Sequence, residues 1–294
     1  MLDPLLSLVL SALALPSLGP GGSLLLNPEA QMAPRRHNPD YVVRVALPPR
    51  RPAVDLPPVL GPDDASRPLV VIDAGHGGYD PGASGGDGQI EKQLTLNLAL
   101  ALRDELLKRA RVRVALTRSD DRFLVLDERS GIARRLHADL FISIHADAAQ
   151  SDGATGATLY TLSETASDKT AEAIASRENS ADTINGVQLR KQAGTVDAIL
   201  VDLSRREALE RAAKFAGLVR REASGGLHFR AEAVKSAAFV VLKAPDVPSV
   251  LFESGYISNS ADAAFLGSPQ GREAFAETFA RAIEAYFVRV RPGR

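Results

Sequence analysis

Four side chains that could bind a metal or move a proton stand at the ends of apolar runs of this chain. They are His76, Glu91, His145 and Glu253. The first histidine lies in a glycine turn after the run 69–74, the second ends the run 140–145, and the last glutamate ends the run 249–253. Two histidines and a glutamate form a hydrolytic zinc site with one open position, and a fourth carboxylate can transfer protons beside it.

Each of these residues alone has an ordinary explanation. A single histidine after a strand often hydrogen-bonds the turn around it, and the glycines beside His76 suit any sharp turn. The joint occurrence at equivalent places in the chain favours a metal centre. Asp147 is placed to support a ligand or the substrate. We interpret Asp73 and Asp80 as turn-stabilising and supporting groups, because aspartate side chains commonly bond such turns.

Strand and helix patterns alternate from residue 67 onward. Strands are expected at 69–73, 112–117, 140–145, 157–162, 239–242 and 249–252. Helices are expected at 94–108, 126–137, 205–222 and 272–288. This order predicts a single α/β domain, with helices on both faces of a mixed, mostly parallel sheet. Sites in such sheets lie beyond the carboxyl ends of the strands, where the two histidines and Glu253 would meet.

One stretch, residues 163–204, interrupts the alternation. It has a polar helical pattern at 168–179, then glycines, and then a short apolar patch at 198–201. We expect a helical insertion that docks on the domain without joining the sheet.

Composition narrows the chemistry and leaves the N-terminus open. The 294 residues carry a net charge of −1 and no cysteine, which argues against a nucleic-acid partner and leaves histidine and carboxylate as the strong metal ligands. Residues 1–19 have an apolar stretch of signal-peptide length, but Asp3 is acidic and no lysine or arginine precedes the run. The stretch is short for a stable membrane span. Residues 20–66 are rich in proline and predict a linker, with a short strand conceivable at 41–45.

A set of motifs closely resembles the zinc-dependent N-acetylmuramoyl-L-alanine amidases that cut bacterial peptidoglycan. The motifs are 71–83, Glu91, 117–118, 139–148 and 248–259. Their order and spacing agree with that family over about residues 68–290. The resemblance implies a phosphorylase/hydrolase-like single domain, in which a mixed sheet is wrapped by helices.

The resemblance also implies roles for individual residues. His76, Glu91 and His145 match the Zn²⁺ ligands, and Glu253 matches the catalytic carboxylate. Asp147 and Arg118 would support these groups or contact the substrate. The implied substrate is the amide between N-acetylmuramic acid and the L-alanine of the stem peptide, and the implied location is the periplasm, without stable membrane insertion.

The insertion resembles a helix found in some cell-division amidases, which covers the active site until an activator binds. A carboxylate of this helix would then occupy the open zinc position, with Glu178 as the first candidate and Glu172 as the second. The alternative is that both are solvent-facing carboxylates of an ordinary helix. The expected activator is a LytM-like division regulator, which could bind at the patch 198–201.

Two other functions remain open on the residues alone. One is a relative without catalysis that only binds peptidoglycan or a division protein, although all four site residues are present. The other is a different zinc hydrolase, such as a carboxypeptidase of the same stem peptides, because the ligand set does not fix the reaction. Analysis of the products would separate them.

Overall fold

The computed structural model describes residues 55–86, 88–149, 154–182, 198–223 and 226–290, which form one α/β domain. The strands are β1 Leu69–Ala74, β2 Arg113–Leu116, β3 Leu140–His145, β4 Ala157–Leu162, β5 Phe229–Ala237 and β6 Ser249–Glu253. The helices are α1 Glu91–Arg109, α2 Leu126–Arg135, α3 Lys169–Asn179, α4 Ala198–Glu222, α5 Ser260–Gly267 and α6 Pro269–Val290. A 3₁₀ turn spans Val240–Leu242.

All six strands form one sheet, in the order β2-β1-β3-β6-β4-β5. Every neighbouring pair is parallel except β4 and β6, which are antiparallel. The carboxyl ends of β1, β3 and β6 therefore share one edge of the sheet with the amino ends of β4 and β5. We call this the site edge.

Apolar residues fill both faces of the sheet, because successive strand side chains point to opposite sides. Ile142 of β3 packs in the cluster with α1, α4 and α6, whereas its neighbour Phe141 packs in the cluster with α2, α3 and the 3₁₀ turn. Strands buried on both sides are the reason why β1 and β3 are continuous apolar runs. The predicted fold class, a mostly parallel sheet covered by helices, is confirmed.

Several element predictions were wrong in detail. The strand expected at 239–242 is the 3₁₀ turn, and β5, directly before it, was not predicted. The alanines, glutamate and lysine of β5 are poor strand formers, which masks its pattern. Helix α4 begins at Ala198 and so includes the apolar patch that we assigned to the insertion. The short helix α5 was also missed.

Part of the predicted linker packs on the domain. Leu60 exchanges two backbone hydrogen bonds with Val114 of β2, at 2.8 and 2.9 Å, so the described fold begins before residue 67. The predictions for residues 1–19, for the strand at 41–45 and for the rest of the linker up to residue 54 lie outside the described residues. Within the described part, no helix has the length and apolar character needed to cross a bilayer.

Candidate metal centre

Three predicted ligands converge at the site edge. The Nε2 atom of His76 lies 3.2 Å from Oε2 of Glu91, and the Nδ1 atom of His145 lies 3.3 Å from Oε1 of the same glutamate. The two imidazole rings meet edge to face, with centroids 4.9 Å apart. Both nitrogens and both carboxylate oxygens thus face one small, buried space.

Local backbone features allow this close approach. His76 has a φ of 58°, in the left-handed region that a non-glycine residue rarely adopts. A Cβ atom at Gly75 would lie 2.5 Å from the imidazole of His145, and one at Gly82 would lie 2.7 Å from Oε2 of Glu91. The glycines therefore permit the loop after β1 to pack directly against the ligands.

Two of the three predicted ligands, His76 and Glu91, are oriented by further contacts. Asp80 Oδ2 lies 2.9 Å from Nδ1 of His76, which orients the ring so that Nε2 faces the cluster. Glu91 accepts backbone hydrogen bonds from Ala83 and Ala146, both at 2.8 Å, one on each carboxylate oxygen. These contacts hold the donor atoms of His76 and Glu91 in place through the protein alone.

The charge balance of the cluster calls for a cation. Burial lowers the pKa of His76, but Glu91 and Glu178 outweigh it and raise that pKa to about 10. The pKa of Glu91 is held well below its usual value against its burial, chiefly by His76. Among the described residues, neither His76 Nε2 nor His145 Nδ1 has a hydrogen-bond partner. Two buried nitrogens and a carboxylate that lack only a shared positive charge fit a Zn²⁺ ion.

Glu253 lies beside this cluster, at the end of β6 and in register with His145. Its Oε2 accepts a 3.1 Å hydrogen bond from the backbone of Asp147, whereas Oε1 is buried without a partner in the described part of the chain. Burial raises the pKa of Glu253 well above its usual value, His145 opposes this, and Asp147 adds to it. Such a carboxyl group can both accept and return a proton.

Two buried arginines support the loop that carries His76. Arg118 donates to the carbonyls of Ala74 and Gly75 at 2.9 and 2.7 Å, and Arg129 donates to the carbonyl of His76 at 2.8 Å. Arg118 is completely buried and holds the loop through these hydrogen bonds. No pattern in the sequence indicated Arg129.

Asp73 anchors the same network from within β1. It accepts from Thr117 at 2.6 Å and Ser143 at 2.7 Å, and it forms a 3.0 Å ion pair with Arg129. Burial raises the pKa of Asp73, but Arg129 and the two hydroxyls together bring it below the usual value. Asp73 therefore stays charged and supports the loop through Arg129.

Helix α3 brings a fourth donor into the cluster. Oε2 of Glu178 lies 3.0 Å from His145 Nδ1 and 3.5 Å from His76 Nε2, and its side chain is buried. Donor atoms of His76, Glu91, His145 and Glu178 all lie within 4.8 Å of one another. Glu172, our second candidate, is exposed on the same helix.

Helix α3 is held by an apolar face and by polar contacts near its C-terminal end. Its buried apolar residues are Ala171, Ile174 and Ala175. Asn179 donates to the carbonyl of Ala238 at 2.9 Å and accepts from the amide of Val240 at 2.8 Å. Arg177 pairs with Asp147 at 3.0 Å; burial and Glu178 nevertheless raise the pKa of Asp147 to about 7. The sequence pattern did not single out Arg177 or Asn179.

Comparison with known proteins gives one consistent family. Residues 70–285 match the N-acetylmuramoyl-L-alanine amidase family. The amidase AmiA of Escherichia coli is 35% identical over 220 residues, which cover 74% of this chain and 76% of that protein. The amidase AmiC of Neisseria meningitidis is 35% identical over 221 residues, and the match spans 75% of this chain but only 53% of its relative.

Solved structures agree with this result. The amidase AmiC2 of Nostoc punctiforme is 27% identical with a TM-score of 0.53, over 75% of this chain and 97% of its own. The catalytic domain of CwlV, an N-acetylmuramoyl-L-alanine amidase from Bacillus (Paenibacillus) polymyxa, is 28% identical with a TM-score of 0.53, over 75% and 98%. The sheet, the order of the motifs and these matches together show that the chain belongs to the N-acetylmuramoyl-L-alanine amidase family of hydrolases.

Proposed function

We propose that this chain is a zinc-dependent amidase that hydrolyses the bond between N-acetylmuramic acid and the L-alanine of the stem peptide. The observation that carries the proposal is the convergence of His76, Glu91 and His145 on one buried point, with Glu253 adjacent. The family membership supports the reaction, and the donor set supports the metal.

The roles of the residues follow from their contacts. His76, Glu91 and His145 would hold the ion. Bound there, zinc acidifies water and polarises a carbonyl group. Glu253, held at Oε2 by the amide of Asp147, would use its unpartnered Oε1 to take a proton from the attacking water. It would then return that proton to the departing amine of L-alanine, so that the C–N bond breaks with a neutral leaving group.

Glu178 supports a second part of the proposal, namely that α3 is an autoinhibitory helix. Its carboxylate lies among the donor atoms of the ligands, where it would fill the position that the reaction needs. If α3 is docked in 99 of 100 molecules, its closed position is favoured by only about 2.7 kcal/mol. A partner protein that binds α3 in its undocked position could offset that preference.

The partner and the location remain proposals of the same kind. A LytM-like division regulator is the expected activator, and residues 198–201, which form the first turn of α4, are its expected contact. Because the proposed substrate is peptidoglycan, the enzyme would act in the periplasm, during separation of daughter cells.

Product analysis tests the reaction directly. Purified sacculi would be digested with the zinc-loaded full chain, with its Glu178→Ala variant, and with a variant that lacks residues 165–203. We expect free stem peptides with N-terminal alanine beside intact glycan strands, in larger amounts from both altered proteins. Trimmed stem peptides that are still attached to glycan would identify a peptidase and overturn the amidase assignment. A folded deletion variant with unchanged or lower activity would overturn autoinhibition.

A further inference from the structure

A cation, Arg230, lies on the site edge two strands away from Glu253. Thr158 of β4 is paired with Glu253 in the antiparallel ladder, and Ala157 is paired with Phe229 in the parallel one. Because neighbouring strands are about 4.8 Å apart, the backbone of Arg230 is about 10 Å from that of Glu253. Arg230 thus belongs to the surroundings of the site.

Because successive side chains of a strand alternate between the two faces, we expect Arg230 on the face of the sheet that carries Glu253. The ring of the preceding residue, Phe229, packs with its centroid 6.0 Å from that of Phe252, on the opposite face. The pairing of β4 with β5 is irregular here. Ala157 pairs with Phe229 and Leu159 with Val234, so β5 uses more residues than β4 over the same stretch. Bulges of this kind often re-aim a side chain beside an active site.

Tyr256 fixes the position of the arginine. Nη1 of Arg230 donates a 2.6 Å hydrogen bond to the phenol oxygen of Tyr256, and the guanidinium carbon lies 5.6 Å from the ring centroid. Tyr256 is itself held by Asp262, which accepts from its amide at 3.0 Å and from the amide of Gly156 at 2.9 Å. The pair is therefore tied both to β4 and to the loop that follows Glu253.

This pair has unused donors. Among the described residues, no carboxylate lies within 4.0 Å of the Arg230 guanidinium, which is partly exposed, whereas Arg177 on the other side of the site pairs with Asp147. The Tyr256 phenol accepts from Arg230, and no acceptor for its own proton is found in the described part of the chain. A planar guanidinium beside a phenol is a donor set suited to a carboxylate.

We propose that Arg230 and Tyr256 bind a carboxylate of the stem peptide, beyond the L-alanine that is released. The proposal rests on the proposed amidase function and adds a substrate preference to it. An extended peptide covers about 3.5 Å per residue, so a separation of about 10 Å corresponds to about three residues. The subsite would thus select acidic stem peptides over amidated ones and set the direction in which the peptide lies.

The test uses two muramyl peptides that differ only in whether the carboxylates after L-alanine are free or amidated. The zinc-loaded full chain carrying Glu178→Ala is compared with the same protein bearing Arg230→Gln or the control Arg205→Gln. Arg205 is also partly exposed and pairs with Glu164, at the end of β4 far from the site edge. We expect the parent and the control to favour the free carboxylate tenfold to one hundredfold in kcat/KM, mainly through KM. Arg230→Gln should remove this preference, because it lowers kcat/KM for the acidic peptide much more than for the amidated one.

Other outcomes separate the subsite from the function. Equal loss on both peptides would mean that Arg230 only supports the fold, and equal cleavage of both by the parent would exclude the subsite. Cleavage of neither peptide by any protein would reject the proposed reaction, and calorimetry with the free stem peptides then decides the subsite alone. Weaker binding of the acidic peptide to Arg230→Gln would support it, and identical binding to both proteins would overturn it.

Discussion

The two halves of the metal centre are built differently. His76, Glu91, His145 and Glu253 come from four elements at the site edge, and their positions are fixed by backbone hydrogen bonds and by buried arginines under the loop. Glu178 comes from an 11-residue helix, α3, that lies outside the sheet. We call the first four residues the fixed half, and α3 with Glu178 the separable half.

This difference bears on how the site could be controlled. Removing the first half would break the sheet and the buried network, whereas undocking α3 would expose a modest apolar face and break a few polar contacts. Elements of low local stability are the ones that move at regulated sites. A rigid ligand set with a separable fourth donor can be switched without being rebuilt, and substitutions in each half measure its contribution separately.

The largest effect is expected from Glu253→Gln, in the fixed half. The amide keeps the shape of the side chain but cannot accept a proton, so kcat should fall by at least about 1,000-fold. Zinc content, measured by mass spectrometry of the purified protein, should stay at the wild-type level because Glu253 is not a proposed ligand. A variant that loses the metal as well would show that Glu253 belongs to the ligand set.

Asp73→Asn tests the support under the fixed half. It leaves the charge of Arg129 buried without its anion, which we expect to lower the free energy of unfolding by about 3 kcal/mol. Urea titration measures this, and Asp64→Asn, which removes an exposed partner of Arg67, is the matched control that should leave the free energy of unfolding nearly unchanged.

The pH dependence of the same pair has a definite sign. The folded-state pKa of Asp73 is below its unfolded value, so its contribution is complete above about pH 4 and is lost as the pH falls through the folded value. The difference in unfolding free energy between wild type and Asp73→Asn should therefore shrink below about pH 4. A difference that is independent of pH would mean that packing, and not charge, causes the loss.

Glu178→Ala removes the donor that α3 supplies and leaves the residues of the fixed half unchanged. Basal amidase activity should rise about tenfold to one hundredfold, in keeping with a docked state favoured by up to about 2.7 kcal/mol. Glu172→Ala is the control, since that carboxylate is exposed on the same helix and should leave activity unchanged. A rise with Glu172→Ala, or none with Glu178→Ala, would contradict the assignment of the occluding residue.

The sequence was most informative about the fixed half. His145 and Glu253 end buried strands, His76 follows one in a glycine turn, and Glu91 begins a helix. The geometry of a parallel sheet brings such positions to one edge. The long-range supports were not visible, because nothing local in the sequence shows that Arg129 lies under the carbonyl of His76. The edge of the sheet was also mispredicted. β5 lies next to a single strand and is interrupted by a bulge, so its alternation is weak, and Arg230 was overlooked with it.

The smallest effect is expected from Asn179→Ala, which weakens the attachment of α3 to the domain but keeps Glu178. The variant loses the hydrogen bonds with Ala238 and Val240, which are exposed and part-buried and so are worth about 0.5 kcal/mol each, the low end of the usual range. Basal activity should rise about twofold to tenfold, and Thr170→Ala, an exposed change at the start of α3, should have no effect.

The double variant Glu178→Ala/Asn179→Ala then shows whether both changes act by undocking α3. If the carboxylate and the asparagine hold the same docked state, the gains cannot exceed complete opening, so the double variant should be little more active than Glu178→Ala alone. Gains that simply multiply would mean that Asn179 influences the site by another route. In that case α3 would not behave as a single two-state element, and the contrast between a fixed half and a separable half would have to be redrawn.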